Sequence, residues 1–199
     1  MLHRPLRLAA LALCASVVLI AGPATAGEPT DQLKPEIDRV VKLLEDPALK
    51  GEGKTAARRQ ALRAITDSVF DWPEMTRRAL GAHWQGRSEA ERTEFVGLFR
   101  DLIEHAYASK IESYSGERVT FSGDSVEGDQ ATVRTRLTTT KGQEVPVDYR
   151  MQRRDGRWRI YDIGVEGVSM VGNYRTQFNQ IIRASSYEEL VRKLKSRSS

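Results

Sequence analysis

The spacing of apolar residues changes twice along this chain, from helical to alternating and back to helical. From Asp31 to Glu45, Leu33, Ile37, Val40, Val41 and Leu44 recur on one face of a helix, and Pro47 with Gly51 and Gly53 ends the pattern. A second amphipathic helix is predicted over Thr55–Val69, burying Ala57, Ala61, Leu62, Ile65 and Val69. Asp71, Pro73 and Glu74 then read as an N-cap, an early proline and a capping-box acid, opening a short helix that Gly81 stops. The longest helix starts at the capping box Ser88 to Glu91. Phe95, Leu98, Phe99, Leu102, Ile103, Tyr107, Ile111 and Tyr114 keep helical spacing along it, and Gly116 closes it. A stripe so rich in large side chains predicts a helix lying across a sheet.

Beyond Gly116 the period is two. Residues 118–122, 131–139, 145–151 and 158–165 are predicted strands, and Asp155-Gly156 is the strongest hairpin signal. Ala131, Val133, Thr135 and Leu137 share one face of the second strand, as Val145, Val147, Tyr149 and Met151 do on the third. One face is buried and the other wet, as in an antiparallel meander. After Ser169 the helical period returns with Val171, Tyr174, Phe178, Ile181 and Ile182, and a last helix opens at the Ser186–Glu189 capping box. The predicted fold class is α+β, a curved antiparallel four-stranded sheet covered by helices from both ends of the chain.

Charge and composition narrow the picture. Arg4 and Arg7 precede an apolar stretch from Leu8 to Ile20, and Ala24, Thr25 and Ala26 offer small residues for cleavage, so residues 1–26 are expected to be a Sec-type signal peptide and 27–199 a single exported, soluble domain. Cys14 lies inside that leader with Leu13, not a small residue, before it, which argues against an acylated lipoprotein. As the only cysteine, it leaves the exported domain without disulfide or thiol chemistry. The 31 Lys and Arg lose only Arg4 and Arg7 with the leader while all 27 Asp and Glu remain, so the domain is close to neutral and carries no nucleic-acid signature.

Candidate chemistry is sparse. His83 and His105 form no ligand pair at helical spacing, so no metal site is expected, and there is no Gly-x-Ser-x-Gly elbow or phosphate loop. Asp162 and Glu166 are the two carboxylates in or beside an apolar strand. They read either as an acid/base pair or as structural groups, Asp162 at a bend and Glu166 accepting backbone N–H groups where Gly167 turns the chain; the structural reading is preferred.

Two long segments carry a resemblance. WRIYDIGVEGVSMVGNYRTQFNQII, from Trp158 to Ile182, resembles the C-terminal signature of the MlaC family, the toluene-tolerance or ABC-transporter auxiliary proteins, in Trp158, Tyr161, Asp162, Glu166 to Met170, Tyr174, Arg175 and Phe178. ALGAHWQGRSEAERTEFVGLFRDLIEHAYASKIESYSG, from Ala79 to Gly116, is similar to a second stretch of that family. The resemblance implies a periplasmic carrier, not an enzyme, that needs no cofactor. It would hold a phospholipid by its acyl chains and pass it between an outer-membrane lipoprotein complex and an inner-membrane ABC transporter complex, maintaining outer-membrane lipid asymmetry. A hopanoid-associated branch shares the architecture.

A two-chain phospholipid hides some 30 methylenes, at about 0.8 kcal/mol each as an upper bound, so a carrier needs an apolar pocket closed on most sides. The expected lining is Trp84, Phe95, Phe99, Leu102, Ile103, Tyr107, Ile111 and Tyr114 on the helical side, and Val133, Leu137, Val147, Tyr149 and Met151 on the sheet. Val168 and Met170 are expected at one edge, where Glu166-Gly167 lets the last strand leave the sheet. The same residues would equally pack a dry core, and composition does not separate the two. A small hydrolase or isomerase and an adaptor that docks a transporter remain as other readings.

Overall fold

The structure, a computed structural model, describes residues 27–51 and 53–198; the expected leader, residues 1–26, lies outside the described residues. Helices α1 (Glu28–Glu45), α2 (Thr55–Val69), α3 (Trp72–Leu80) and α4 (Glu89–Glu112) come first. Strands β1 (Arg118–Glu127), β2 (Gln130–Thr138), β3 (Glu144–Arg154), β4 (Arg157–Val165) and β5 (Val168–Ser169) follow, and α5 (Met170–Ala184) and α6 (Tyr187–Ser198) end the chain. The strands form one antiparallel sheet in the order β1-β2-β3-β4-β5. The fold is therefore α+β as predicted, with a fifth, two-residue strand in addition to the four.

The helix starts are built by the side chains that announced them. Asp71 accepts from the Glu74 N–H at 3.0 Å. At the head of α4 the Ser88 N–H donates to the Glu91 carboxylate at 2.7 Å while the Glu91 N–H donates back to the Ser88 hydroxyl at 3.3 Å, a complete capping box. Ser186 caps α6 through the Glu189 N–H at 3.2 Å. Gly81 ends α3 at φ +56°, where a side chain would be strained.

The fifth strand explains the Glu166-Gly167 interruption. Both residues have positive φ, 51° and 80°, and Val165 pairs with Val168 across them. This is the backbone of a two-residue type I′ turn, the same device that Asp155 and Gly156 use between β3 and β4 at φ 50° and 74°. The last strand thus stays in the sheet for one more pairing before α5 begins, where the sequence pattern had it leave. Glu166 contributes its backbone, with its N–H donating to the Pro146 carbonyl at 3.0 Å.

The core has two parts. One is helical: Trp72, Met75, Ala79 and Leu80 of α3, Phe95, Phe99, Leu102 and Ile103 of α4, Met170, Val171 and Phe178 of α5, and Tyr187, Leu190 and Leu194 of α6, joined by Tyr161 of β4. The other lies under α1, where Leu33 packs on Ala131, Val133, Met151, Trp158 and Ile160 of the sheet. Phe70 packs against both, and a parallel bridge from it to Ile160 ties the α2–α3 junction to β4.

That division corrects the expected placement of the long helix. The Phe95–Ile103 half of α4 does not roof the sheet. It packs into α3, α5 and α6, with Phe95 and Phe99 in edge-to-face contact with Phe178 at 5.6 and 5.7 Å between centroids. The sheet is covered by α1 instead. Periodicity marks a buried stripe but is blind to what the stripe meets.

Candidate functional site

The sheet face that meets α1 follows from the register. Val119, Leu137 and Val145 lie in one row; Phe121, Thr135, Val147 and Val165 in the next; then Val133, Tyr149 and Ile163; then Ala131, Met151 and Ile160. A bulge between Phe121 and Gly123 brings Asp124 into register with Val133. There its carboxylate accepts from the Gly27 and Thr30 N–H groups, each at 3.1 Å, and from the Thr30 hydroxyl at 2.7 Å, pinning the start of α1 over this face. The first turn of a helix favours an anion for the same electrostatic reason.

Burial falls along that face, apart from Thr135, which stays buried at 2% exposure with its hydroxyl donating to the Val147 carbonyl at 2.9 Å. Ala131, Val133 and Met151 are fully packed, Val133 at 0% exposure. Toward the β2–β3 connection Val119, Phe121, Leu137, Val145, Val147, Tyr149 and Ile163 are only half-buried, and Val165 is exposed. These side chains are as apolar as those beneath Leu33; Phe121, Tyr149 and Ile163 pack against that cluster, and Val119, Leu137, Val145 and Val147 lie beyond it. Tyr149 marks the transition: it retains accessible surface, while burial pushes its hydroxyl up to about 12.

Two openings stand out among the described residues, of which the second borders this face at Val119. One is a groove between α2 and α4, with Leu62, Ala108 and Ile111 as its apolar floor, and Arg58, Arg59, Arg63, Glu104 and His105 around it; the cavity volume is about 100 Å³. The other is a wider cleft of about 640 Å³ between α1 and the β1 edge, where Ile37, Val41 and Val119 meet Glu45, Glu117 and Tyr114. The Tyr114 hydroxyl donates to Glu45 at 3.1 Å across that cleft.

The expected lining residues divide among these places. Leu137, Val147 and Tyr149 lie on the half-buried sheet face, and Val133 and Met151 at its packed end. Ile111 is in the α2–α4 groove and Tyr114 in the α1–β1 cleft. Phe95, Phe99, Leu102, Ile103 and Met170 are in the helical core, with Trp84 and Tyr107 half-buried at its margin; burial raises the Tyr107 hydroxyl. Val168 stands 63% exposed on β5. As lining residues, sequence reasoning passed over Val119, Phe121 and Ile163, which the strand alternation marks, Leu62, which the α2 stripe marks as buried, and Ala108 of α4, which no pattern marked.

The carboxylates considered for chemistry are placed differently. Asp162 is buried at a bulge of β4 and accepts from Arg150 and the Ser169 hydroxyl at 2.6 Å each and from the Val171 N–H at 3.0 Å. Its lone pairs serve the start of α5. Glu166 is exposed on the β4–β5 turn. Among the described residues no group of His, Cys, Asp or Glu is placed to hold a metal ion, and no helix is long and apolar enough to cross a membrane.

Residues 34–196 match the family model described as MlaC protein. The chain is 24% identical over 127 residues to the intermembrane phospholipid transport system binding protein MlaC of Haemophilus influenzae, covering 61% of this chain and 59% of that protein. It is 22% identical over 120 residues to the toluene tolerance protein ttg2D of Pseudomonas putida, covering 59% and 56%. The chain thus spans less than two thirds of the length of these relatives. Among solved structures, a phospholipid-binding protein from Ralstonia solanacearum in complex with a phospholipid superposes at a TM-score of 0.74, with 22% identity, over 86% of this chain and 97% of that one. At that identity the likeness concerns the fold. On the family match over most of its length, the chain belongs to the MlaC family.

Proposed function

We propose that this protein is a periplasmic carrier that binds a phospholipid by its acyl chains and hands it between an outer-membrane lipoprotein complex and an inner-membrane ABC transporter complex. Removing about 25 cal/mol of free energy per Å² of apolar surface from water is the driving force such binding requires. The observation that carries the reading is the burial gradient on the sheet. Val119, Leu137, Val145, Val147 and Tyr149 form a continuous apolar wall that a packed core would have filled and that a lipid tail is chemically suited to cover. The phospholipid transport role of the Haemophilus protein and the phospholipid in the Ralstonia structure support the same cargo class. A non-enzymatic role fits the engagement of Asp162, whose three hydrogen bonds tie β3 and the start of α5 to β4.

Native mass spectrometry of gently purified protein tests the reading. A bound mass matching a phospholipid is expected. A polycyclic hopanoid mass would move the protein to another lipid class, and no lipid together with a measurable hydrolytic or isomerase turnover would overturn the carrier.

A further inference from the structure

We propose that Arg58, at the groove between α2 and α4, binds the phosphate of the lipid headgroup while the first methylenes of the chains lie on Leu62, Ala108 and Ile111; this assignment rests on the carrier reading above. Charge bookkeeping around the groove singles out this residue. Arg63 is held by Glu104 and Asp101, and Arg100 also reaches Glu104, so both acids on the α4 side already have cationic partners. His105 donates its Nδ1–H to the Asp101 carbonyl at 2.7 Å, which leaves Nε2 as its other polar atom. Arg58 has no carboxylate partner among the described residues. Its Nε–H is buried without a hydrogen-bond acceptor, as are those of Arg87 and Trp158, and of the three only Arg58 lines the groove.

A buried guanidinium N–H with no acceptor is unfavourable by the desolvation of a charged donor, and an anion held by the terminal nitrogens of the same guanidinium would offset that cost electrostatically. The guanidinium presents a planar fork of donors matched to two oxygens of a phosphate. The apolar floor beside it separates this place from a site for free phosphate, which has no use for Leu62, Ala108 and Ile111. An anionic group joined to an apolar chain suits both halves of the groove, and a phospholipid has that composition.

The test compares delipidated wild-type protein with Arg58→Gln and Arg58→Lys in equilibrium binding of a fluorescent phosphatidylglycerol and of the diacylglycerol with the same chains. Arg58→Gln is expected to weaken phosphatidylglycerol binding about tenfold and to leave diacylglycerol binding unchanged, with Arg58→Lys in between because it keeps the charge and loses the fork. All three proteins are first matched by thermal melting. Equal phosphatidylglycerol binding by wild type and Arg58→Gln overturns the assignment while leaving the carrier intact, and so does a loss that affects both lipids alike. Binding of neither lipid by wild type instead removes the carrier reading itself. Inorganic phosphate at millimolar concentration is expected not to displace phosphatidylglycerol; displacement would make the site one for free phosphate and overturn the lipid source.

Discussion

The Asp162 carboxylate holds the Ser169 hydroxyl at 2.6 Å, and the Ser169 oxygen in turn accepts the Gly172 N–H at 2.8 Å, so a strand residue and a helix N-cap act as one unit across the β4–β5 turn. Arg150, one strand over on β3, closes the arrangement from the other side at 2.6 Å. Asp162→Asn puts an amide NH₂ where donors already converge from Arg150, Ser169 and the Val171 backbone. A loss of stability on the order of 2–3 kcal/mol is expected, read by urea unfolding. The folded fraction is expected to keep its lipid; loss of lipid at unchanged stability would place Asp162 in the binding site.

The burial gradient makes a paired prediction. Val133 is fully packed and Val147, in the next row of the same face, is not. Val133→Trp is therefore expected to overpack and cost about 1–3 kcal/mol. Val147→Trp is expected to leave the melting temperature of the lipid-free protein near that of wild type and to remove co-purified phospholipid. Equal destabilisation by the two substitutions would show a solid core along the whole face.

Acid stability should depend on Asp71. Burial by itself would raise its pKa, but the Glu74 N–H and the Arg154 and Gln152 side chains donate to the carboxylate and hold it below the usual range. A carboxylate whose folded pKa is depressed stabilises the fold above its unfolded pKa, about 3.9, and that contribution is lost as the pH falls through the folded value. Arg154 is half-exposed, so solvent screens its share. The melting-temperature difference between wild type and Asp71→Asn is expected to be constant at neutral pH and to shrink below about pH 4; a constant difference down to pH 2 would contradict this.

The β4–β5 turn can be improved. A type I′ turn wants φ above zero at both central positions, and Asn enters that region more easily than Glu does. Glu166→Asn is expected to stabilise by roughly 0.5–1 kcal/mol, and Gly167→Val, at φ +80°, to destabilise by about 1–2 kcal/mol, both in chemical denaturation.

What the sequence disclosed was the structure that neighbouring residues decide among themselves. Ser88 and Glu91, Asp71 and Glu74, and Asp155 and Gly156 form their caps and their turn within a few residues, and each was legible. Glu166 and Gly167 were read as a turn, but the pairing of Val165 with Val168 needs the register of β4 to be known first. Which helix covers the sheet was not legible, because the choice between α1 and α4 is made by contacts such as Asp124 with Thr30, far apart in the chain. The same holds for the site: alternation put Val133 and Val147 on one face, and only packing distinguishes the filled end from the open one. Arg58 gave no signal in the sequence, since a helix surface is rich in arginine and an unpaired donor is a three-dimensional fact.

The narrowness of the α2–α4 groove bears on time as well as on space. A cavity of about 100 Å³ holds roughly three waters' worth of volume, far less than a lipid chain demands, so a chain could pass between α2 and α4 only if these helices moved apart. If a phospholipid enters by this groove rather than by the wider α1–β1 cleft, its uptake is expected to be limited by the parting of α2 and α4, with an observed rate that levels off as lipid concentration rises. Release meets the same barrier from inside. A carrier built this way would keep its load while its exchange half-life exceeds its transit time, and a partner that spread the two helices would shorten that half-life at the place of delivery.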